Sequence, residues 1–233
     1  MAKPFGISQV AINKMLMLQR KGNEFNGFVK GDDLFDLRIG DSNSVEPDVT
    51  IAREASKNKY EFDFHTHPLD GTSVPALPRK IARKEAKCSA ELERARSHTM
   101  SPNDAVFAAE YRSIADTGGH EVKSLVIGPD KIIQYRLVDV PKYERYKALA
   151  GKKFGADGTT IKTTESQVLE LLSDKWNLID TKNRATAYEK QDFSTCGDRD
   201  RVVARRKEWF EFLESIGMEV KEENVKFVMP RKR

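Results

Sequence analysis

The chain has 233 residues with 40 Lys and Arg against 36 Asp and Glu, a formal net charge of +4, and is long enough for one sizeable core or a core with an appendage. No run of 18 apolar residues appears, and the opening MAKPFGISQV lacks an apolar h-region, so neither a membrane span nor a secretory leader is expected; a soluble, cytoplasmic protein is. Two cysteines, Cys88 and Cys196, lie far apart and in no CxxC or CxxH spacing, which argues against a cysteine zinc site and leaves free thiols as the expectation.

Residues 8 to 20, SQVAINKMLMLQR, open with a Ser N-cap and put Ala11, Met15 and Leu18 on one helical face, predicting a first amphipathic helix. GNEFNGFVKGDDLFDLRIGD then reads as two short strands around a tight Gly-Asp-Asp turn, with Phe28, Leu34, Leu37 and Ile39 as apolar contributors. A strand is expected around DVTIAR and another over KYEFDFHTH. In the latter, Phe62, Phe64 and Thr66 point one way while Glu61, Asp63, His65 and His67 point the other. Pro68 removes a ladder donor and ends that strand, leaving both imidazoles at its C-terminal edge.

Residues 69 to 78 form a turn-rich loop. The stretch from 79 to 96 predicts a charged surface helix, an insertion with seven basic residues to three acidic. SPNDAVFAAEYRSIADTGG is a punctuated helix: Ser101 at N-cap, Pro102 at N1, Asp104 at N3, and Gly118-Gly119 at its end. HEVKSLVIG and KIIQYRLVDV, joined by a Pro-Asp turn, make a hairpin that closes the sheet. Beyond Pro141 come a helical KYERYKALAG, a Gly-rich loop at 151 to 158, a helix near 164 to 176, a loop to about 197, a long helix through DRDRVVARRKEWFEFLESIG, and a short hairpin, MEVKEENVKFVMP. The whole basic surplus is in this last part: residues 1 to 140 carry 20 Lys and Arg against 20 Asp and Glu, the remainder 20 against 16.

Hydrolytic zinc needs three His, Asp or Glu ligands and an open position for water. His65 and His67, at i and i+2 on one strand face, supply two; two half-exposed histidines at a strand end is the plain alternative. Asp104 offers a third, although SPND is also a regular capping box whose carboxylate is satisfied by backbone N–H groups. A base within reach of the water is also required, and Glu24 in the first strand can serve, or be one more surface Glu. His98 reads as an exposed loop residue, His120 as a C-terminal dipole partner of the helix before it, and Asp70 as too close to the strand to be a ligand.

Glu24 three residues before Gly27, then His65-Thr66-His67-Pro68, then Ser101-x-x-Asp104 opening a helix, resemble in that order the JAB/MPN domain with its JAMM metalloprotease motif. The resemblance covers roughly residues 7 to 140. It implies an α/β fold, a central mixed sheet flanked by helices with a cytidine-deaminase-like core. The change of pattern after Pro141 sets a boundary there, giving a domain over 1 to 140 with an insertion at about 69 to 100 and a smaller α+β region over 141 to 233. The resemblance further implies that His65, His67 and Asp104 hold Zn²⁺, that Glu24 moves the water's proton to the leaving amine, and that Ser101 donates to the oxyanion. The substrate so implied is a protein or peptide with a peptide or isopeptide bond, such as a ubiquitin-like modifier conjugate. The chain departs from the family in placing 33 residues between His67 and Ser101, an insertion whose closure cost grows only slowly with length. The competing reading is a catalytically silent MPN-like scaffold whose C-terminal region binds protein or nucleic acid; helix, helix and hairpin after residue 160 would suit a winged helix with EVKEENVKF as the wing.

Overall fold

A computed structural model describes residues 4–21, 23–40, 49–67, 79–154, 165–189 and 194–228. Pro68 as the strand stop, Asp70, the 69 to 78 loop and the basic C-terminal PRKR lie outside the described residues. Ser8 opens helix α1 (Gln9–Gln19): its hydroxyl accepts from the Ala11 amide at 3.1 Å, and Ala11, Ile12, Met15, Leu16 and Gln19 follow as a buried helical stripe. Strand β1 (Phe25–Lys30) turns through Gly31, at φ +61, into β2 (Asp33–Ile39). The register slips within this hairpin: Asn26 faces Arg38 but Phe28 faces Phe35, so Gly27 stands opposite both Asp36 and Leu37, and Asp36 takes φ +49. Of the four apolar contributors expected here, Phe28 is buried and Leu34 partly so, whereas Leu37 and Ile39 are exposed because β2 lies at the sheet edge.

The strand expected around DVTIAR is instead helix α2 (Val49–Lys57). Its β-branched start favours an extended chain locally, but Ala52 and Ala55, three residues apart, are fully buried beside Phe28 and Tyr60, and packing at the helical period overrides the local preference. Strand β3 (Phe62–Thr66) keeps its alternation, with Phe62, Phe64 and Thr66 buried and Asp63 and His65 half-buried on the other face. There follow α3 (Arg79–Ser97), α4 (Pro102–Asp116), β4 (Lys123–Ile127), β5 (Lys131–Leu137), α5 (Val140–Phe154), α6 (Glu165–Glu189), α7 (Thr195–Ser215) and β6 (Met218–Asn224). The strands form one mixed sheet in the order β2-β1-β3-β4-β5-β6, parallel between β3 and β4 and antiparallel at β1–β2, β1–β3 and β4–β5. The fold is therefore α/β, a six-stranded mixed sheet flanked by helices.

Two units share the chain: Met1–Asp70, Phe107–Arg136 and Val220–Arg233 make the first, Gly71–Val106 and Leu137–Glu219 the second. This differs from the contiguous division at 140 expected from the sequence. In the first unit, neighbouring residues of β1 face opposite ways. Val29 packs with Phe64, Leu125 and the α1 residues Ile12, Met15 and Leu16, while Phe28 packs with Ala52, Ala55 and Tyr111. The expected C-terminal hairpin is a single strand: β6 borders β5, Val225 enters the core that α1 covers, and its N–H donates to the Asp130 carbonyl at 2.8 Å. EVKEEN is thus a strand of the main sheet and not a wing, and VKF continues from it.

In the second unit α6 runs on to Glu189, past the stop expected at 176, because Val168, Leu172, Ile179 and Asn183 continue one buried helical face. The Gly-rich stretch is helical as far as Phe154, and residues 155–164 lie outside the described ones. Trp209 and Leu213 of α7 are fully buried, and the Trp209 indole donates to the Met100 carbonyl at 2.9 Å, so KEWFEFLESIG is a core face as expected. Helix α3 is more than a surface insertion, since Cys88, Leu92 and Ala95 give it a buried face, the last two against Val202 of α7. Cys88 and Cys196, 108 residues apart and expected to be free thiols, form a disulfide. Among the described residues no helix is long and apolar enough to cross a membrane.

Candidate functional site

Strands β1 and β3 run antiparallel with Asn26 opposite His65, so the same register two residues outward sets Glu24 beside His67. Their side chains meet there: Glu24 Oε1 lies 3.8 Å from His67 Nε2, with only 12% and 19% of the two side chains exposed. That separation is too long for a direct hydrogen bond and suits an ion pair or a bridging water. His65 and His67, both at the C-terminal end of β3, turn their Nε2 atoms toward each other at 3.1 Å, with ring centroids 4.9 Å apart. Two ligands of a tetrahedral zinc, each at about 2.0–2.1 Å from the ion, are about 3.3 Å apart. The imidazole pair fits that spacing, and equally lets one ring donate a hydrogen bond to the other.

Backbone anchors hold this cluster. The Phe25 amide donates to Thr66 Oγ1 at 3.0 Å, the Gly40 amide to the Glu24 carbonyl at 3.0 Å, and the His67 amide to the Ile127 carbonyl at 3.0 Å. Gln19 of α1, only 2% exposed, donates from Nε2 to the His67 carbonyl at 3.0 Å. Asp63, which shares His65's face of β3, is bonded to the hydroxyl of buried Tyr111. Burial, and then the Asp63 charge and hydrogen bond, push that hydroxyl far above the ordinary tyrosine range. Sequence reasoning passed over Gln19, Thr66 and the Asp63–Tyr111 pair. The legible signal was Gln19 itself, a polar residue in the apolar stripe of α1.

Ser101 and Asp104 belong to the second unit, where they form the expected capping box: the Ser101 amide donates to Asp104 Oδ2 at 2.6 Å and the Asp104 amide to Ser101 Oγ at 3.3 Å. The structure thus brings Glu24, His65 and His67 together and separately pairs Ser101 with Asp104. Among the described residues no three His, Cys, Asp or Glu side chains form a group that would hold a metal ion. His98, expected in an exposed loop, is only 5% exposed; its carbonyl accepts from Arg206 Nε at 2.8 Å, which draws it into the second unit's interior. The same burial lowers the Arg206 guanidinium to about 10. His120 has an exposed side chain and donates its amide to Ser56 Oγ at 2.7 Å.

No protein-family model, curated protein or solved structure matches the chain.

Proposed function

We propose that the Glu24, His65 and His67 cluster is the centre of a JAMM-type zinc hydrolase that cleaves a peptide or isopeptide bond in a protein substrate. The observation that carries the reading is the 3.1 Å convergence of the two histidine Nε2 atoms with a shielded carboxylate 3.8 Å from one of them. His65 and His67 would hold Zn²⁺, which supplies Lewis acidity toward the carbonyl and makes water nucleophilic near neutral pH. Glu24 would accept the proton of the attacking water and return it to the leaving amine. Asp104 as third ligand and Ser101 as oxyanion donor rest on the motif resemblance alone, as does a ubiquitin-like modifier conjugate as substrate. A cytoplasmic location sits poorly with the Cys88–Cys196 bond, because structural disulfides persist mainly in oxidising compartments.

Elemental analysis of the purified chain and of His65→Ala/His67→Ala tests the reading. One zinc per wild-type chain and none in the variant is the expected outcome. A wild-type chain that holds no divalent metal after dialysis against it would sink the proposal.

A further inference from the structure

Two side chains that bond the backbone beside Glu24 and His67, Gln19 and Thr66, are not themselves candidate ligands. His67 lies one residue beyond β3, where the regular ladder no longer holds both of its backbone groups. Its N–H donates to the Ile127 carbonyl of β4 at 3.0 Å, and its carbonyl accepts from Gln19 Nε2 at 3.0 Å. A buried primary amide is costly without partners. Helix α1 nevertheless places Gln19, at 2% exposure, in the stripe otherwise made by Ala11, Ile12, Met15 and Leu16. Thr66, fully buried, plays the matching part on the other side of His67, because its Oγ1 accepts the amide of Phe25, the residue after Glu24. Two side-chain bonds therefore tie the peptides flanking Glu24 and His67 just where the β1–β3 ladder ends.

We propose that Gln19 and Thr66 are positioning residues that set the mutual orientation of His67 and Glu24, and through it the ligand geometry of the imidazole pair. The proposal rests on the reading of that cluster as a metal centre and adds two residues that touch no metal or substrate. Merely structural roles would predict lost stability in variants and nothing else; a positioning role predicts altered ligation in chains that still fold.

The test uses the full chain with Gln19→Leu, which removes the donor, Thr66→Val, which removes the acceptor at nearly constant shape, and Thr66→Ser, which keeps it. Zinc dissociation constants are read by competition with a chromophoric chelator. The tautomers of His65 and His67 are read, metal-free, from long-range proton–nitrogen NMR correlations. Melting temperatures show which variants are folded. Gln19→Leu and Thr66→Val are expected to bind zinc about 10 to 100 times more weakly, the usual effect of losing a partner that orients a ligand, with Thr66→Ser near wild type. In the metal-free proteins the defined tautomer pair of the wild type is expected to average out in the two disruptive variants and to survive in Thr66→Ser. Folded variants with wild-type zinc affinity and unchanged imidazole shifts overturn the proposal. A wild-type chain that binds no zinc defeats the metal-centre reading instead, and positioning is then decided by the metal-free shifts. Should Gln19→Leu not fold, the contrast between Thr66→Val and Thr66→Ser decides.

Discussion

A Cβ on Gly27 would stand 2.8 Å from the Phe35 carbonyl oxygen, 3.0 Å from Leu37 Cδ2 and 3.3 Å from Phe64 Cε1. The first two contacts come from β2 across the register slip, where one residue of β1 faces two, so this position requires close backbone approach. The glycine of the Glu-x-x-Gly pattern thus has a packing reason that is separate from chemistry. Gly27→Ala is expected to lower stability by about 1–3 kcal/mol, the usual penalty for overpacking, read from the urea midpoint at constant slope. Glu24 makes the opposite kind of prediction. On the proposed zinc-hydrolase reading, Glu24→Gln keeps the shape and removes only the proton acceptor, so it should retain bound zinc while peptidase turnover falls by at least about 100-fold. Equal turnover in the two proteins would remove Glu24 from the chemistry.

At the scale of elements, α3 and α7 are joined by chemistry that hydropathy does not register. Below Leu92 and Ala95, Cys88 is the first described buried residue of α3, and Arg199 of α7 adds a 2.7 Å ion pair to Glu91 with its guanidinium 3.7 Å from Cys88 Sγ. Opening the Cys88–Cys196 bond, which closes a long loop, is expected to cost about 2–4 kcal/mol. A reductant should lower the wild-type urea midpoint to that of Cys88→Ser/Cys196→Ser and leave the variant's unmoved; no response in the wild type would mean the bond is absent in solution. Between α6 and α7, Asp180 meets Arg184 at 2.6 Å, Arg205 at 2.7 Å and Arg201 at 3.3 Å. Burial alone would raise its carboxyl, but the hydrogen bonds and charges of Arg205 and Arg184 prevail and hold it below the ordinary range. A depressed carboxyl stabilises the fold above its unfolded value of about 3.9 and loses that contribution as pH falls through the folded value. Asp180→Asn should therefore cost roughly 1–3 kcal/mol at pH 7, and the gap from wild type should close on acidification below about pH 4, as seen in parallel urea titrations.

At the scale of the whole molecule, the first unit is assembled from three separate stretches of chain and the second from two. Val225 is 5% exposed in the core covered by α1, and α1 is itself fastened to the returning chain: Gln9 donates to the Lys226 carbonyl at 3.1 Å and Asn13 to that of Val228 at 2.6 Å. A fragment ending at residue 140 would lack all of this and leave β5 as an open edge, a template for intermolecular pairing. Residues 1 to 140 expressed alone are expected to aggregate or to show little amide protection in hydrogen exchange, whereas the full chain protects β3 and β4. A monomeric, well-protected fragment would show that the first unit does not need its C-terminal stretch.

What could be read without coordinates was local in origin. The Ser8 cap and the stripe of α1, the alternation of β3, the β4–β5 hairpin and the Ser101–Asp104 box are each decided by residues within one or two turns of one another, and all are present. Glu24, His65 and His67 were legible because strand periodicity alone puts both imidazoles on one face, and an ordered motif drew Glu24 to them. Tertiary packing decided the rest. It made a helix of the β-branched Val49–Lys57 segment to bury Ala52 and Ala55, carried α6 through a polar stretch whose Asp180 meets Arg205 of α7, and placed β6 in the sheet. It also paired two cysteines 108 residues apart and set Gln19 against the His67 carbonyl. Each of these joins residues distant along the chain, and neither propensity nor spacing carries information about which distant surfaces will meet.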